Sequence, residues 1–327
     1  MKPFAYVKAA GEKQVVAALA AGGGRALPLA GGMDLIGLMK DYVAQPDRLV
    51  SVKELDATIA RGSGGALRIG AAVTLTDLAA NADVRRLYPA LTDAAAEVGT
   101  PQIRNLGTVG GNLNQRPRCW YFRNEEFNCL KKGGSRCFAV DGENQYHAIF
   151  GDGPCHIVHP SSLAVPAIAL DARFRIVGPT GEREVAAADY YQMPDRNLLG
   201  ETALAANEIL THVILPAPGQ TRTATYEVRF KQSHDWPLAM ASVALSMQGQ
   251  NVRAARVIMG AVAPVPWRAS AAETSLTGKR LSEQAAMEAA DAAVATAKPM
   301  SGNAYKVQIA RTAVKRAILK AAGMKVV

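Results

Sequence analysis

The stretch Pro28-Leu-Ala-Gly-Gly-Met-Asp-Leu35 runs out of a short apolar segment into two residues without a Cβ, and from there into helical spacing over 35–40. Eighty residues on, Thr108-Val-Gly-Gly-Asn112 repeats the device. A strand that breaks on a glycine pair lets backbone N–H groups converge on a phosphate near a helix start. Two such turns could grip both phosphates of one pyrophosphate. Neither stretch is the Gly-x-Gly-x-x-Gly fingerprint, and neither is a P-loop with its Lys and hydroxyl. Most Gly-Gly pairs are plain tight turns, so the pattern alone leaves cradle and turn both open.

Around these turns the first part of the chain reads as alternating helix and strand. Apolar periodicity predicts helices over 14–21, 89–98 and 162–170, with a helix starting at 76 and capped by Thr74 or Thr76. Strands are predicted over 26–30, 49–52, 66–70, 173–177 and 209–215. The Pro216-Ala-Pro-Gly219 stretch marks a domain boundary, dividing the chain into 1–217 and 218–327. Beyond it, strands over 225–231, 241–247 and 253–262 precede helices over 267–276, 282–297 and 303–322. Strands followed by helices describe an antiparallel sheet with helices on one face.

The segment 114–156 has no sustained period and is too long for an ordinary loop. It also holds every cysteine of the chain: Cys119, Cys129, Cys137 and Cys155, with nine, seven and seventeen residues between them. Something other than a hydrophobic core is expected to hold this segment. A disulfide framework belongs to small exported domains, and this chain is large and begins without an export signal. A zinc site normally shows a Cys-x₂₋₄-Cys knuckle, which is absent. An iron–sulfur cluster needs four converging thiolates and tolerates varied spacing. Four unrelated buried thiols would scatter through strands and helices. His156 and His159 beside Cys155 raise a mixed Cys/His site. Trp120, Tyr121 and Phe122 read as packing. A basic group at Arg116, Arg118, Arg123, Lys131, Lys132 and Arg136 could offset a thiolate-ligated cluster.

The formal charge of +9, from 37 basic against 28 acidic residues, comes from dispersed side chains. Few aromatics interleave with them, which argues against a nucleic-acid role. No run approaches membrane-spanning length, so no membrane span is expected.

Several stretches together resemble one family. Pro28 to Leu35, Gly70-Ala-Ala-Val-Thr-Leu75, Ile103-Arg-Asn-Leu-Gly-Thr-Val-Gly-Gly-Asn-Leu113, Phe230-Lys-Gln232 and Gly260-Ala-Val-Ala-Pro-Val-Pro266 are similar to the FAD-binding medium subunit of the molybdenum hydroxylases, the xanthine dehydrogenase and carbon monoxide dehydrogenase group. Arg116-Pro-Arg-Cys-Trp-Tyr-Phe-Arg123, Lys132-Gly-Gly-Ser-Arg-Cys137 and Gly151-Asp-Gly-Pro-Cys-His-Ile-Val-His-Pro160 resemble the subgroup of bacterial periplasmic aldehyde oxidoreductases. A similar insertion marks 4-hydroxybenzoyl-CoA reductase.

The resemblance implies an α+β fold: a vanillyl-alcohol-oxidase-type (PCMH) FAD-binding domain of two α+β parts, then a smaller α+β C-terminal domain of the carbon monoxide dehydrogenase flavoprotein type. It implies FAD contacts from Pro28, Leu29, Ala30, Gly31, Gly32, Met33, Asp34 and Leu35 on the pyrophosphate. A second set comes from Thr108, Gly111 and Asn112, with Leu210 and Lys231 near the isoalloxazine and Ser162 where relatives carry a carboxylate. It implies a [4Fe–4S] cluster on Cys119, Cys129, Cys137 and Cys155, and no catalytic side chain of this chain's own.

The implied work is that of an oxidoreductase subunit. Electrons come from a large molybdopterin-binding subunit through a small [2Fe–2S] subunit, and leave FAD for an external electron acceptor. The alternative is a reductase-type relative with electron flow reversed. A zinc-stabilised binding protein is the rival outside this class. The expected location is the periplasm, by co-export with a signal-bearing partner, with the cytoplasm as the alternative.

Overall fold

The computed structural model describes residues 1–230 and 234–326. Strands β1 (Ala5–Lys8), β2 (Ala26–Leu29) and β3 (Arg48–Ser51) form a parallel sheet in the order β1-β3-β2. Helix α1 (Glu12–Ala20) makes the crossover between the first two. It buries Val15, Val16 and Leu19 in a small core with Val50 and Ile209. Helix α2 (Leu35–Lys40) leaves the glycine turn at the end of β2.

Strands β4 (Ile59–Arg61), β5 (Leu67–Gly70), β6 (Arg173–Gly178), β7 (Gly181–Ala186) and β8 (Ile209–Leu215) form an antiparallel sheet ordered β4-β5-β8-β6-β7. Seven helices lie between β5 and β6: α3 (Leu75–Ala80), α4 (Ala82–Leu87), α5 (Pro89–Glu97), α6 (Pro101–Leu106), α7 (Val109–Leu113), α8 (Trp120–Arg123) and α9 (Ala164–Ala169); α10 (Ala187–Tyr190) follows β7. Thr74 is the cap of α3, its hydroxyl accepting from the Asp77 N–H at 3.0 Å, while Thr76 bonds Asn105 instead. Thr100 and Thr108 cap α6 and α7 in the same way.

In the C-terminal part, β9 (Thr221–Val228), β10 (Ala239–Gln248), β11 (Asn251–Gly260) and β12 (Trp267–Arg268) make an antiparallel sheet ordered β12-β11-β10-β9. Helices α11 (Ser270–Leu276), α12 (Glu283–Val294) and α13 (Tyr305–Ala322) pack on it. Buried Ala286, Ala289 and Ala290 of α12 share one core with Ala310, Ala313 and Ala317 of α13; such small side chains permit close helix approach. Gly323, at φ 71°, takes the left-handed C-cap.

Two boundaries differ from the pattern reading. Residues 267–268 are strand, paired with Met259 and Ile258, so the helix expected from 267 begins at Ser270. The strand expected over 225–231 runs Thr221–Val228.

The cysteine segment has two kinds of fastening. Ile149 and Phe150 are buried in the C-terminal core, and both donate their N–H groups to the Val262 carbonyl at 2.8 and 3.1 Å. At its start, three arginines reach back to Asp34 at the head of α2. The expectation that no hydrophobic core holds this segment therefore fails at its far end.

Candidate functional site

A cavity of about 430 Å³ lies between the two glycine turns. Pro28, Leu29, Ala30, Gly31, Gly32, Met33, Asp34, Leu35, Thr108, Gly111, Asn112, Ser162 and Leu210 all line it. Lys231 lies outside the described residues.

The turns touch each other. A Cβ on Gly31 would stand 2.0 Å from the Leu106 carbonyl oxygen, so the first turn can close against α6 only with glycine there. Gly32 adopts φ 75°, the left-handed region. Among the described residues the N–H groups of Gly31, Gly32 and Met33 have no acceptor, and they border the cavity. The second turn spends its own donors internally. Val109 and Gly110 donate to the Val73 and Ala71 carbonyls, both at 2.9 Å, and Gly111 donates to the Thr108 hydroxyl at 3.0 Å. An anion would thus find free donors at the first turn, whereas the second supplies shape. Asn112 steadies that second wall: its Oδ1 accepts from the Ser161 hydroxyl at 2.7 Å and the Leu163 N–H at 3.3 Å.

Sequence reasoning missed part of the lining. Arg116 and Arg118 face the cavity, as do Val98, Gly99, Glu208 and the stretch 234–237. Asp34 accepts the Arg116 N–H at 2.7 Å and pairs with the guanidinium groups of Arg118 and Arg123. Burial works to raise the Asp34 pKa, but these partners hold the carboxyl below its usual value. Arg118 is pushed down to about 10 by burial, against the attraction of Asp34, and its guanidinium stacks 4.5 Å from the Trp236 ring centre. The only sequence signal for this bridge was the basic group around Cys119.

A few residues beyond the arginines, Cys119, Cys129, Cys137 and Cys155 line one narrow cavity of about 10 Å³, walled by Phe122, Leu130, Phe138, Ile157, Lys131 and His147. All four are free thiols. Backbone N–H groups of Phe122 and Tyr121 point at the Cys119 sulfur, and those of His156 and Ala139 at Cys137. Burial pushes Cys119 up to about 11. Cys137 and Cys155 share a hydrogen bond: as its acceptor Cys137 is pushed down to about 5, while Cys155 holds its proton. Among the described residues, no three His, Cys, Asp or Glu side chains are grouped so as to hold a single metal ion.

Lys131 is only 1 % exposed at its side chain. It pairs with Glu201 at 2.8 Å and donates to the Leu198 and Gly200 carbonyls at 3.0 Å each. His147 Nε2 sits 3.2 Å from Cys119 Sγ, and burial holds the His147 pKa down to about 4. His159 packs edge-on against Tyr191 and does not line the thiol cavity. Trp120 and Tyr121 pack against Tyr146, His147, Phe127 and Phe138. The two cavities share a wall, since Leu38 of α2 clusters with Phe122 and Cys129.

Two family models match this chain. The FAD binding domain in molybdopterin dehydrogenase covers residues 2–218, and the CO dehydrogenase flavoprotein C-terminal domain covers 224–321. The aldehyde oxidoreductase FAD-binding subunit PaoB of Escherichia coli (strain K12) is 36% identical over 287 residues, 86% of this chain and 87% of that one. The carbon monoxide dehydrogenase medium chain of Hydrogenophaga pseudoflava is 30% identical over 310 residues, 93% and 92% of the two chains. Among solved structures, carbon monoxide dehydrogenase from that organism superposes with a TM-score of 0.78 at 28% identity, covering 98% of each chain. Quinoline 2-oxidoreductase of Pseudomonas putida 86 gives 0.76 at 27%, covering 99% of each. No helix among the described residues is long and apolar enough to cross a membrane.

Proposed function

This chain belongs to the FAD-binding medium subunits of the molybdenum hydroxylases, and from that premise we propose that it exports electrons from a molybdenum-dependent aldehyde oxidoreductase, holding FAD between its glycine turns and a [4Fe–4S] cluster on Cys119, Cys129, Cys137 and Cys155. The observation that carries the second cofactor is that all four thiols of the chain line one cavity.

The donor set fits such a cluster. Four sulfurs surround one space, backbone N–H groups aim at them, and the Lys131 ammonium lies alongside to offset thiolate charge. A zinc site normally shows a Cys-x₂₋₄-Cys knuckle, which the spacing of these four cysteines lacks. In a cube of four irons each thiolate binds its own metal.

The residues of the larger cavity fit FAD equally well. The unpaired N–H groups of Gly31, Gly32 and Met33 and the Arg118 guanidinium suit a pyrophosphate, and apolar Leu210, Val98 and Ala72 suit a ring system. When bound, FAD supplies the exchange between paired and single electrons; the chain supplies grip, orientation and exclusion of water. Aldehyde oxidation follows the similarity to the Escherichia coli subunit. In this reading the partners are a large molybdopterin-binding subunit and a small [2Fe–2S] subunit, in a heterotrimer or its dimer. The complex works in the periplasm when a partner carries the export signal, and in the cytoplasm otherwise.

The test is anaerobic purification with its partners, followed by flavin, iron and acid-labile sulfide analysis. One FAD and about four irons beyond those of the [2Fe–2S] partner are expected. Cys129→Ser should lose most of that extra iron. A variant with full iron and unaltered visible absorbance would sink the cluster assignment.

A further inference from the structure

One buried carboxyl is left half satisfied. Glu227 lies on β9 with its side chain 4% exposed, and its Oε1 has no hydrogen-bond partner among the described residues. The Arg229 guanidinium stands 3.7 Å from Oε2, beyond hydrogen-bonding distance, and is committed to the carboxylate and carbonyl of Glu97. The Ser162 side chain lies beside Glu227, and Ser162 itself lines the larger cavity. Burial pushes the carboxyl up to about 7, with the hydroxyl working against that rise. A buried group left half satisfied costs stability, and one poised to exchange a proton near neutrality is a functional candidate.

We propose that Glu227 is a positioning residue for the flavin, holding one exchangeable proton behind the cavity wall through the Ser162 hydroxyl. For each electron pair delivered to the flavin by the partner's reduced clusters, Glu227 takes one proton from solvent and its carboxylate becomes the acid. The flavin keeps the two electrons and one proton of its own. The proton on Glu227 offsets the negative charge left behind, so two electrons enter with two protons.

Among the described residues, the charged groups facing this pair are few. On α5 they are Asp93, paired with Lys320 of α13, and Glu97, paired with Arg229. On the other face of β9, Arg316 of α13 lies over the Tyr226 ring. His234 and Asp235 follow the strand, His234 held on the Gly99 carbonyl. Met240 of β10, opposite Glu227, is uncharged, as is Ser162.

The proposal rests on FAD occupying this cavity. It is tested on the assembled complex by spectroelectrochemical titration of the flavin between pH 5.5 and 8.5 with dithionite as reductant. Above pH 7 the wild type should take up two protons per electron pair and Glu227→Gln one, halving the pH dependence of the midpoint potential. Ser162→Ala, which lets the carboxyl stay protonated throughout, should flatten the slope alike, and it decides the matter if Glu227→Gln fails to fold. An unchanged slope in a variant of normal flavin content overturns the proposal. A Gly31→Ala protein that kept its flavin would instead overturn the placement of FAD.

Discussion

Lys306 puts an ammonium where water does not reach. Its Nζ donates to the carbonyls of Ala261, His147 and Tyr146 at 2.7, 3.0 and 3.2 Å, using all three protons. Burial pushes its pKa down to about 7. Lys306→Met would leave buried carbonyls short of a donor, and a loss of about 2–4 kcal/mol in urea unfolding is expected. Glu227 and Lys306 also set opposite pH slopes. A carboxyl raised from 4.5 to about 7 means the folded chain binds more protons than the unfolded one in that window, so stability falls as pH rises through it. A lysine lowered from 10.5 to about 7 reverses the inequality, so stability rises from pH 7 upward. Glu227→Gln should flatten the first slope in melts across pH 5–7 and leave the second. Neither group was legible in the sequence, because a charged residue within a strand or helix reads as solvated until its surroundings are known. The pairing of Asp34 with Arg118 was hidden by a separation of 84 residues.

At the scale of elements, the glycine turns were legible because they depend on local backbone geometry. Their division of labour was not, since it depends on which N–H groups the neighbouring strands take. Gly31→Ala would drive a Cβ into the Leu106 carbonyl, and the purified complex should lose at least ten-fold in FAD affinity, read by flavin fluorescence on dilution. The β6–β7 hairpin escaped notice in its second strand. Gly181-Glu-Arg-Glu-Val-Ala186 is exposed along most of its length, and its charges form cross-strand pairs such as Arg173–Glu184 rather than an apolar face. Helices α6 and α7 escaped because six and five residues cannot show a helical period; proline and threonine caps fix them instead.

For the whole molecule, the C-terminal sheet with its helices followed from periodicity, as did strands β8 and β9 on either side of the proline stretch, while the α+β layering of the first part came from the family resemblance. What periodicity could not reveal is how tightly the two parts are joined. Thr225 of β9 donates its hydroxyl to the Ala90 carbonyl of α5 at 2.8 Å, and the cysteine segment is pinned to Asp34 at one end and to Val262 at the other. Urea unfolding should therefore give one transition, with tryptophan fluorescence and far-ultraviolet dichroism coinciding. Two resolved steps would mean that the parts unfold separately.

The same fastening sets a schedule. The thiols leave the ribosome long before Val262, Lys298 and Lys306, which close the far side of their segment. At ordinary synthesis speeds that interval is on the order of ten seconds to half a minute. Throughout it the four sulfurs have neither the C-terminal sheet nor the finished cavity to shield them, and exposed thiolates climb readily toward sulfenic acid and stray disulfides. Their safety while the chain is still being made thus falls to cellular reductants, and only afterwards to the fold.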